Sequence, residues 1–349
     1  APGGFGNRPG NIPLQVGTTG ENGRIVLTST QGGAFLTGPN RSMVFGAVSL
    51  AGAFDVEASN GLRFDGVVDT GGGLLRAVSG RDINLDSGAA WVSRGGAITA
   101  RANGTQQFGN VVMVDGTRID AGTGRADIEA QRDVRIARIS STYGAAENAA
   151  IRIVAGNRIE DAGDTDFDLM ATEALGGIAL QAANGIGQGN TIYTLVARAD
   201  LRVTESGDLR VADGNGLLLE RVEGSASGTV AISANGDLEL TADGGGLTAG
   251  SGGLSLLADG GGRLTVNAPV SVNQGGSSLT AGGDLLFGAG GRLQATGAGN
   301  VVVASAGGFT QADGSLIDAG SGTLAVTAGS TIRIAGLTTT NATGDAIRV

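Results

Sequence analysis

The densest group of acidic residues in this sequence is the stretch EDAGDTDFDL, residues 160–169, which holds Glu160, Asp161, Asp164, Asp166 and Asp168. Carboxylate oxygens are the ligands that Ca²⁺ prefers, and alternating aspartates after a glycine could present several of them to one ion. The stretch lacks the spacing and the terminal bidentate Glu of an EF-hand loop. A solvated loop is therefore the favoured interpretation, and Asp161, Asp164, Asp166 and Asp168 are kept as candidate calcium ligands.

The composition excludes several kinds of active site. All 23 basic residues are arginines, and the chain has no Lys, His or Cys. This removes thiolate nucleophiles, histidine triads, conventional zinc sites and Schiff-base lysines. The net charge of −10 argues against nucleic acid as a partner, because phosphate binding needs clustered cations. We expect no cofactor and, without a run of about 18 apolar residues, no transmembrane helix.

Short alternating runs recur along the chain, as in VAISANGDLEL (230–240) and LAVTAGSTIRI (324–334). Period-two alternation with Gly, Asn or Asp between runs indicates strands and turns. The first residue of every third strand recurs every 21 to 25 residues, at Leu209, Val230, Leu254, Leu279, Val301, Leu324 and Ile347. This spacing predicts an all-β fold, a right-handed parallel β-helix (β-solenoid) of about 15 coils with three short strands per coil.

The β-helix makes particular residues inward-facing. We expect burial of Val230, Ile232, Leu254, Leu256, Leu324, Val326, Ile332 and Ile334. Phe35 with Phe54, and Phe45 with Phe64, are 19 residues apart and predict stacked interior rings. Gly-Asp pairs at 207–208, 236–237 and 283–284 predict corner turns in which the Asp side chain bonds local amides. Residues 1–20 hold three of the five prolines and predict an extended tail or cap, followed by one solenoid domain over residues 21–349.

One long phrase occurs twice: residues 116–137 and 314–335 are identical at ten of 22 positions. Together with IEDAGDTDFDLMA (159–171) and NGIGQGNTIYTLVARADLRVTESGDLRV (184–211), these phrases resemble the filamentous-haemagglutinin-like adhesins, large β-helical repeat exoproteins of Gram-negative bacteria. The resemblance implies an extracellular or cell-surface location and a role in adhesion or fibre formation, with surface glycans as candidate ligands.

An enzyme is the main alternative, because many polysaccharide lyases and hydrolases are β-helices. Equivalent positions on adjacent coils lie about 5 Å apart, near the carboxylate separation of a retaining glycosidase. A polygalacturonase-type site would need a His, however, and a pectate-lyase-type site would need an Arg beside an Asp-built calcium site. Arg152 and Arg158 lie near the acidic stretch in sequence, but an outer charged ladder also explains them. We favour a non-enzymatic structural protein; a glycan- or host-binding stalk and a polysaccharide-degrading enzyme remain the alternatives.

The repeat also predicts how copies associate. Aligning the two phrases places Val349 opposite Ile153, so the printed chain stops where its earlier copy continues. A β-helix that ends on an apolar strand exposes unpaired backbone groups and the end of its core. Head-to-tail contacts between copies would cover this surface and would generate filaments. The residues expected in this contact are Ile12, Pro13, Leu14, Val16, Ala346, Ile347 and Val349.

Overall fold

The alternating runs form short parallel strands in the computed structural model, which describes residues 14–15, 23–104, 108–145, 149–173 and 175–349. The fold is an all-β parallel β-solenoid of about 14 turns, and these residues include no helix. Each strand pairs in parallel with the equivalent strand of the next turn, so the predicted all-β parallel β-solenoid is confirmed, with about 14 turns where about 15 were predicted. Consistent with this, the described part of the chain has no helix that could cross a membrane.

The chain divides into two compact units, residues 1–179 and 180–349. The strands of the first unit are β1 (Leu14–Gln15), β2 (Ile25–Ser29), β3 (Ala34–Gly38), β4 (Met43–Leu50), β5 (Phe54–Ala58), β6 (Leu62–Phe64), β7 (Val67–Asp69), β8 (Leu75–Ser79), β9 (Ile83–Leu85), β10 (Ala90–Val92), β11 (Ile98–Ala102), β12 (Val111–Met113), β13 (Arg118–Asp120), β14 (Ala126–Ala130), β15 (Val134–Ile136), β16 (Ile139–Ser141), β17 (Ile151–Ala155), β18 (Ile159–Asp161), β19 (Leu169–Ala171) and the start of β20 (Gly177–Ala182).

The strands of the second unit follow the end of β20 and are mostly three to five residues long. They are β21 (Ile192–Val196), β22 (Arg198–Val203), β23 (Leu209–Asp213), β24 (Leu217–Glu223), β25 (Val230–Ala234), β26 (Leu238–Leu240), β27 (Gly246–Ala249), β28 (Leu254–Ala258), β29 (Leu264–Val266), β30 (Pro269–Val272), β31 (Ser277–Ala281), β32 (Leu285–Phe287), β33 (Arg292–Ala295), β34 (Val301–Ser305), β35 (Phe309–Gln311), β36 (Leu316–Asp318), β37 (Leu324–Ala328), β38 (Ile332–Arg333), β39 (Leu337–Thr338) and β40 (Ile347–Arg348).

The core of the first unit consists of columns of apolar side chains, one from each turn. One fully buried column contains Leu36, Val56, Ala77, Ala100, Ile128 and Ile153, each paired with the next in register. Because a strand shows alternate residues to opposite faces, the neighbours of these residues face outward. The turns vary in length more than predicted: Ala34 pairs with Phe54, whereas Ile98 pairs with Ala126.

Aromatic rings fill one part of the core of the first unit. Phe45 and Phe64 stack with ring centroids 5.2 Å apart, as predicted. Phe54 meets Phe45 edge-on at 5.3 Å, and Phe64 meets Trp91 edge-on at 4.9 Å. The predicted Phe35–Phe54 stack is wrong, because Phe54 pairs with Ala34 and Phe35 pairs with Asp55. The one-residue difference in register turns Phe35 to the opposite face of the strand.

The second unit has a similar column: Leu209, Val230, Leu254, Ser277, Val301, Leu324 and Ile347 are paired in succession. The predicted place of Leu279 in this column is wrong by two residues. Leu279 pairs with Leu256 instead, and the buried Ser277 occupies the inward position between Leu254 and Val301. The spacing of apolar residues could not predict Ser277, because a serine at an inward position does not continue the apolar pattern.

Six of the eight residues predicted to be inward-facing in this unit are buried: Val230, Ile232, Leu254, Leu256, Leu324 and Val326. The prediction is wrong for Ile332, which is partly exposed, and for Ile334, which is 42% exposed. Inward position alone does not bury a side chain in a solenoid, because the two adjacent turns supply most of its contacts. Within the described chain, no later strand pairs with β38.

Aspartates at the corners connect successive turns. Asp208 accepts the Thr229 N–H at 2.9 Å, Asp237 accepts the Arg263 N–H at 2.7 Å, and Asp284 accepts the Gly308 N–H at 2.8 Å. These are the aspartates of the three Gly-Asp pairs, for which purely local turns were predicted. That prediction is wrong for these bonds, because each donor lies one turn further along the chain. The side chains therefore hold adjacent turns in register at points where the strand ladder is interrupted.

Candidate functional site

The acidic stretch forms a lengthened corner in the first unit. Strands β15 and β18 are paired neighbours, as are β16 and β19. Only two residues join β15 to β16, whereas seven residues, 162–168, join β18 to β19. The extra residues form the loop that carries Asp164, Asp166 and Asp168. We refer to residues 162–168 as the acidic loop. The prediction of a solvated loop is wrong for the rest of the stretch and for two carboxylates, because Glu160 and Asp161 belong to β18 and Asp161 and Asp168 are buried.

The carboxylates of the stretch have different surroundings. Asp161 is buried; its Oδ1 accepts the Gly163 N–H at 3.0 Å, whereas its Oδ2 has no hydrogen-bond partner among the described residues. Asp168 is also buried, whereas Asp164 is partly exposed and Asp166 is exposed. Glu160 lies 3.7 Å from the guanidinium of Arg158. The five carboxylates are thus divided between the interior and the surface.

Two further observations bear on calcium binding by the acidic loop. Partial burial raises the pKa of Asp164, and hydrogen bonding to Asp115 and repulsion by the carboxylates of Asp161 and Asp115 raise it further, although the Asp166 N–H acts in the opposite direction. Over the residues that the structure describes, no group of three or more acidic side chains is arranged to hold a metal ion. Asp161, Asp164, Asp166 and Asp168 stay untested candidates for calcium ligands, and a titration with Ca²⁺ tests them.

The acidic loop also presents an exposed aromatic ring that the sequence analysis did not single out. Phe167 is 38% exposed and lines a surface cleft of about 250 Å³. The other residues that line it are Arg138, Thr165, Asp166 and Met170. We refer to this site as the Phe167 cleft. The exposure of Phe167 could have been predicted from the sequence, because this phenylalanine lies between two aspartates. A lengthened corner has no inward position for its ring.

A second cleft, of about 460 Å³, lies in the second unit where one turn gains a corner. Strand β24 contains an extra residue, Glu220, relative to β22, and the next turn splits into β26 and β27 around Thr241–Gly245. The cleft is lined by Asp200, Leu218, Glu220, Arg221, Thr241, Asp243 and Gly244. Sequence reasoning missed this cleft, because a single extra residue in a strand leaves no compositional signal.

The charges of the second cleft are largely paired within the protein. The Arg198 guanidinium lies 2.9 Å from the Glu220 carboxylate. Arg202 and Arg221 both contact Asp200, at 2.7 and 2.9 Å. Such pairs are worth little individually at an exposed surface, but they neutralise the carboxylates that a glycosidase would need. This network is best explained as a structural ladder between turns.

The two arginines near the acidic stretch, Arg152 and Arg158, each lie beside a carboxylate of the protein. Arg152 lies 2.8 Å from Asp127, in the paired strand of the preceding turn. Arg158 contacts Glu160, two residues further along the same segment. Neither contact places a guanidinium beside an assembled calcium site of the pectate-lyase type. The predicted outer charged ladder accounts for Arg152, whereas Arg158 contacts a carboxylate of its own turn.

The residues predicted to mediate self-association have different positions. Ile12, Pro13 and Val16 lie outside the described residues. Leu14 is in β1, which pairs in parallel with β3 through Leu14 and Leu36. The Ala346 carbonyl accepts the Leu324 N–H at 2.9 Å, and Ile347 pairs with Leu324. Ile347 is 42% exposed and Val349 is 61% exposed.

The earlier copy of the repeat contains the equivalents of the two exposed residues. Ile151 pairs with Ala126 just as Ile347 pairs with Leu324, which makes Ile153 the equivalent of Val349. Ile151 and Ile153 are completely buried. The same sequence pattern is thus buried in one unit and exposed in the other.

Comparisons of this chain with protein-family models, with curated proteins and with solved structures gave no match.

Proposed function

We propose that this chain is a non-enzymatic structural segment of an extracellular or surface-bound bacterial protein, an adhesin-type β-solenoid that contributes to a rod or fibre. The observation that carries the proposal is the repetition of one plan in both units, in which paired aliphatic columns are buried and charged ladders link the turns outside. In such an arrangement, nearly every turn serves to stack on the turns beside it. The resemblance of residues 116–205 and 300–349 to filamentous-haemagglutinin-like adhesins supports the surface location.

The absence of catalytic activity is part of this proposal. The chain has no His, Cys or Lys, and the carboxylates Asp200 and Glu220 are paired with arginines. Incubation with acidic and neutral polysaccharides should release neither reducing ends nor unsaturated products. Reproducible turnover that a single Asp or Arg substitution abolishes would overturn the proposal. Antibodies against the purified chain should label intact cells of the source bacterium, or its culture medium, as strongly as lysed cells; labelling only after lysis would contradict the location.

We further propose that copies of the chain stack end to end. The support is the repeat itself: Ile151 and Ile153, the equivalents of Ile347 and Val349, are completely buried in the first repeat, so a strand of this pattern has a surface that another turn can cover. In the first repeat, β20 lies beside this strand in the same sheet, and the Ala150 N–H donates to the Gly177 carbonyl at 2.8 Å, which indicates that a further turn fits the surface. Because β1 already pairs with β3 in its own chain, stacking of whole turns is favoured over donation of Ile12–Val16 to a neighbour.

Light scattering and negative-stain electron microscopy test the stacking. The wild-type chain should show mass that rises with concentration, and Ile347→Asp should shift the material to monomers because it places a charge in the contact. Val302→Asp is the matched control: Val302 lies on an outward face and is 41% exposed, compared with 42% for Ile347. A wild-type chain that is monomeric at all concentrations, or equal effects of the two substitutions, would refute end-to-end stacking.

A further inference from the structure

We infer that the Phe167 cleft binds one neutral pyranose ring of a glycan. The first support is the ring of Phe167 itself. Ligand sites are clefts in which apolar and aromatic side chains lie beside a few polar groups, and Phe167 lines a cleft of this kind. In this chain the other residues of the acidic loop are polar or small, and Phe167 is held at the surface beside Met170. The two side chains together provide a small apolar platform.

The second support is a pair of charged groups that line the same cleft, Arg138 and Asp166. Neither side chain makes an ion pair or a hydrogen bond with the described residues. Most charged ladders elsewhere in the molecule pair an arginine with a carboxylate, as Arg152 does with Asp127 and Arg221 with Asp200. Side chains that line one cleft without pairing leave hydrogen-bond donors and acceptors free for a ligand.

The chemistry of these groups selects the ligand class. Arg138 offers N–H donors only, and ionised Asp166 offers acceptors only, so a ligand that uses both must carry donors and acceptors on one small frame. A sugar hydroxyl is both. An anionic ligand would be repelled by Asp166 and by the neighbouring Asp161 and Asp164, whereas a simple cation would leave Arg138 without a partner. The ligand that fits is therefore neutral.

Size and apolar character lead to the same class. The cleft, at about 250 Å³, is smaller than the roughly 300–1,000 Å³ of typical small-molecule pockets. It is therefore suited to a single ring of a longer polymer rather than to a whole drug-sized molecule. A pyranose has an apolar face of C–H groups that can pack on Phe167, while its edge hydroxyls reach Arg138 and Asp166. The hydroxyl of Thr165 lines the same cleft.

The inference goes beyond the structural role and does not depend on it. The cleft lies within the first unit, so glycan binding and stacking through Ile347 can succeed or fail separately. The binding involves no catalytic step. It would give a solenoid segment a defined contact with polysaccharide, which the structural proposal by itself does not supply.

Affinity electrophoresis in gels containing dextran, yeast mannan, guar galactomannan or amylopectin tests the site. At least one of these neutral polymers should retard the wild-type chain. Phe167→Ala should weaken that retardation about three- to ten-fold, the range expected for loss of an aromatic contact. Leu74→Ala is the matched control, because Leu74 is in the same unit and, like Phe167, is 38% exposed. It should leave the retardation unchanged.

Two further variants distinguish the ligand classes. Arg138→Ala should weaken retardation in the same polymer, because it removes the N–H donors. Asp166→Asn, which keeps a hydrogen-bonding group but removes the charge, should change affinity for a neutral polymer by less than about three-fold. Retardation by none of the four polymers, equal effects of Phe167→Ala and Leu74→Ala, or tighter binding to heparin than to any neutral polymer would overturn the inference.

Discussion

Asp82 and Asn110 connect two successive turns of the first unit through one carboxylate oxygen. Oδ1 of Asp82 accepts both the backbone N–H and the side-chain N–H of Asn110, each at 2.8 Å, and also the Gly109 N–H at 3.0 Å. The Oδ1 atom of Asn110 in turn accepts the Asp133 N–H at 3.2 Å, one turn further on. Polar side chains therefore continue the hydrogen-bonded ladder through a corner where the strands are interrupted.

Replacing Asp82 tests this connection. Asp82→Ala should lower the free energy of unfolding by about 1–3 kcal/mol, because it leaves partly buried N–H groups without an acceptor. Urea denaturation followed by circular dichroism measures the change. Asp243→Ala is the control: Asp243 is exposed and has no hydrogen bond or ion pair with the described residues, so the effect should stay within about 0.5 kcal/mol. Equal losses of unfolding free energy in Asp82→Ala and Asp243→Ala would show that the hydrogen bonds to Asn110 do not stabilise the fold.

Two adjacent valines of β34 test the inward and outward assignment. Val303 is completely buried and pairs with Leu279 and Val326, whereas Val302 is 41% exposed. Val303→Asp should unfold the second unit or destabilise it by more than about 4 kcal/mol, because the buried carboxylate has no partner. Val302→Asp should cost less than about 1 kcal/mol. Thermal denaturation compares the two, and similar losses would mean that the register of β34 is wrong.

The close approach of Gly244 to Glu220 predicts a second severe substitution. A Cβ atom at position 244 would lie 1.0 Å from the backbone oxygen of Glu220, and a backbone atom cannot move aside as a side-chain tip can. Gly244→Ala should therefore cost several kcal/mol or rearrange the corner. Gly189→Ala, whose Cβ would meet no atom within 4 Å, should be neutral or slightly stabilising. The melting temperatures of the two variants decide between these outcomes. An unchanged melting temperature for Gly244→Ala would contradict the close approach of Gly244 to Glu220.

The ion pair between Asp69 and Arg94 predicts a loss of stability in acid. The hydrogen bonds from Arg94 lower the pKa of Asp69, and the Gly71 N–H acts in the same direction against partial burial. Because the pKa in the folded state lies below the unfolded value of about 3.9, this stability is present above that value and is lost as the pH falls through the folded pKa.

Unfolding measured from pH 7 to pH 2 should show this loss in the wild-type chain. Asp69→Asn and Arg94→Ala should each reduce the slope at the acid end, because each removes the cause of the pKa shift. The Arg94 side chain is largely exposed, so high salt should reduce the effect as well. An identical acid profile for wild type and both variants would exclude a contribution from this pair.

Calcium binding to the acidic loop should be weak or absent. Ca²⁺ needs six to eight oxygens at 2.3–2.6 Å, and the carboxylates of Asp161 and Asp168 are buried while that of Asp166 is exposed. At 5 mM Ca²⁺, a site with a Kd of 10 µM would add about 3–4 kcal/mol of stability. We expect no such gain by differential scanning calorimetry. A calcium-dependent rise in melting temperature that disappears in Asp164→Asn would establish the site.

The sequence by itself determined the class of fold and the main inward positions. Period-two alternation requires strands, and a recurrence of 21 to 25 residues requires that each strand stack on its equivalent in the next turn. Val230, Leu254 and Leu324 could be assigned to inward positions on this basis, because an apolar residue recurs at the same place in each of these turns. The loop over residues 162–168 was expected from its density of carboxylates, which usually face solvent, whereas the burial of Asp161 and Asp168 was not expected.

Only the tertiary structure decided which residues depart from the alternating inward and outward pattern. Ser277 occupies an inward position, Phe35 faces away from Phe54, and Asp208 bonds to the next turn rather than to its own corner. The physical reason is that the length of each corner sets which residue of one strand pairs with which residue of the next, and a pairing that differs by one residue turns a side chain to the opposite face. The exposure of Phe167 beside Arg138 arises from such a lengthened corner, and local sequence does not record which residues the neighbouring turn brings against it.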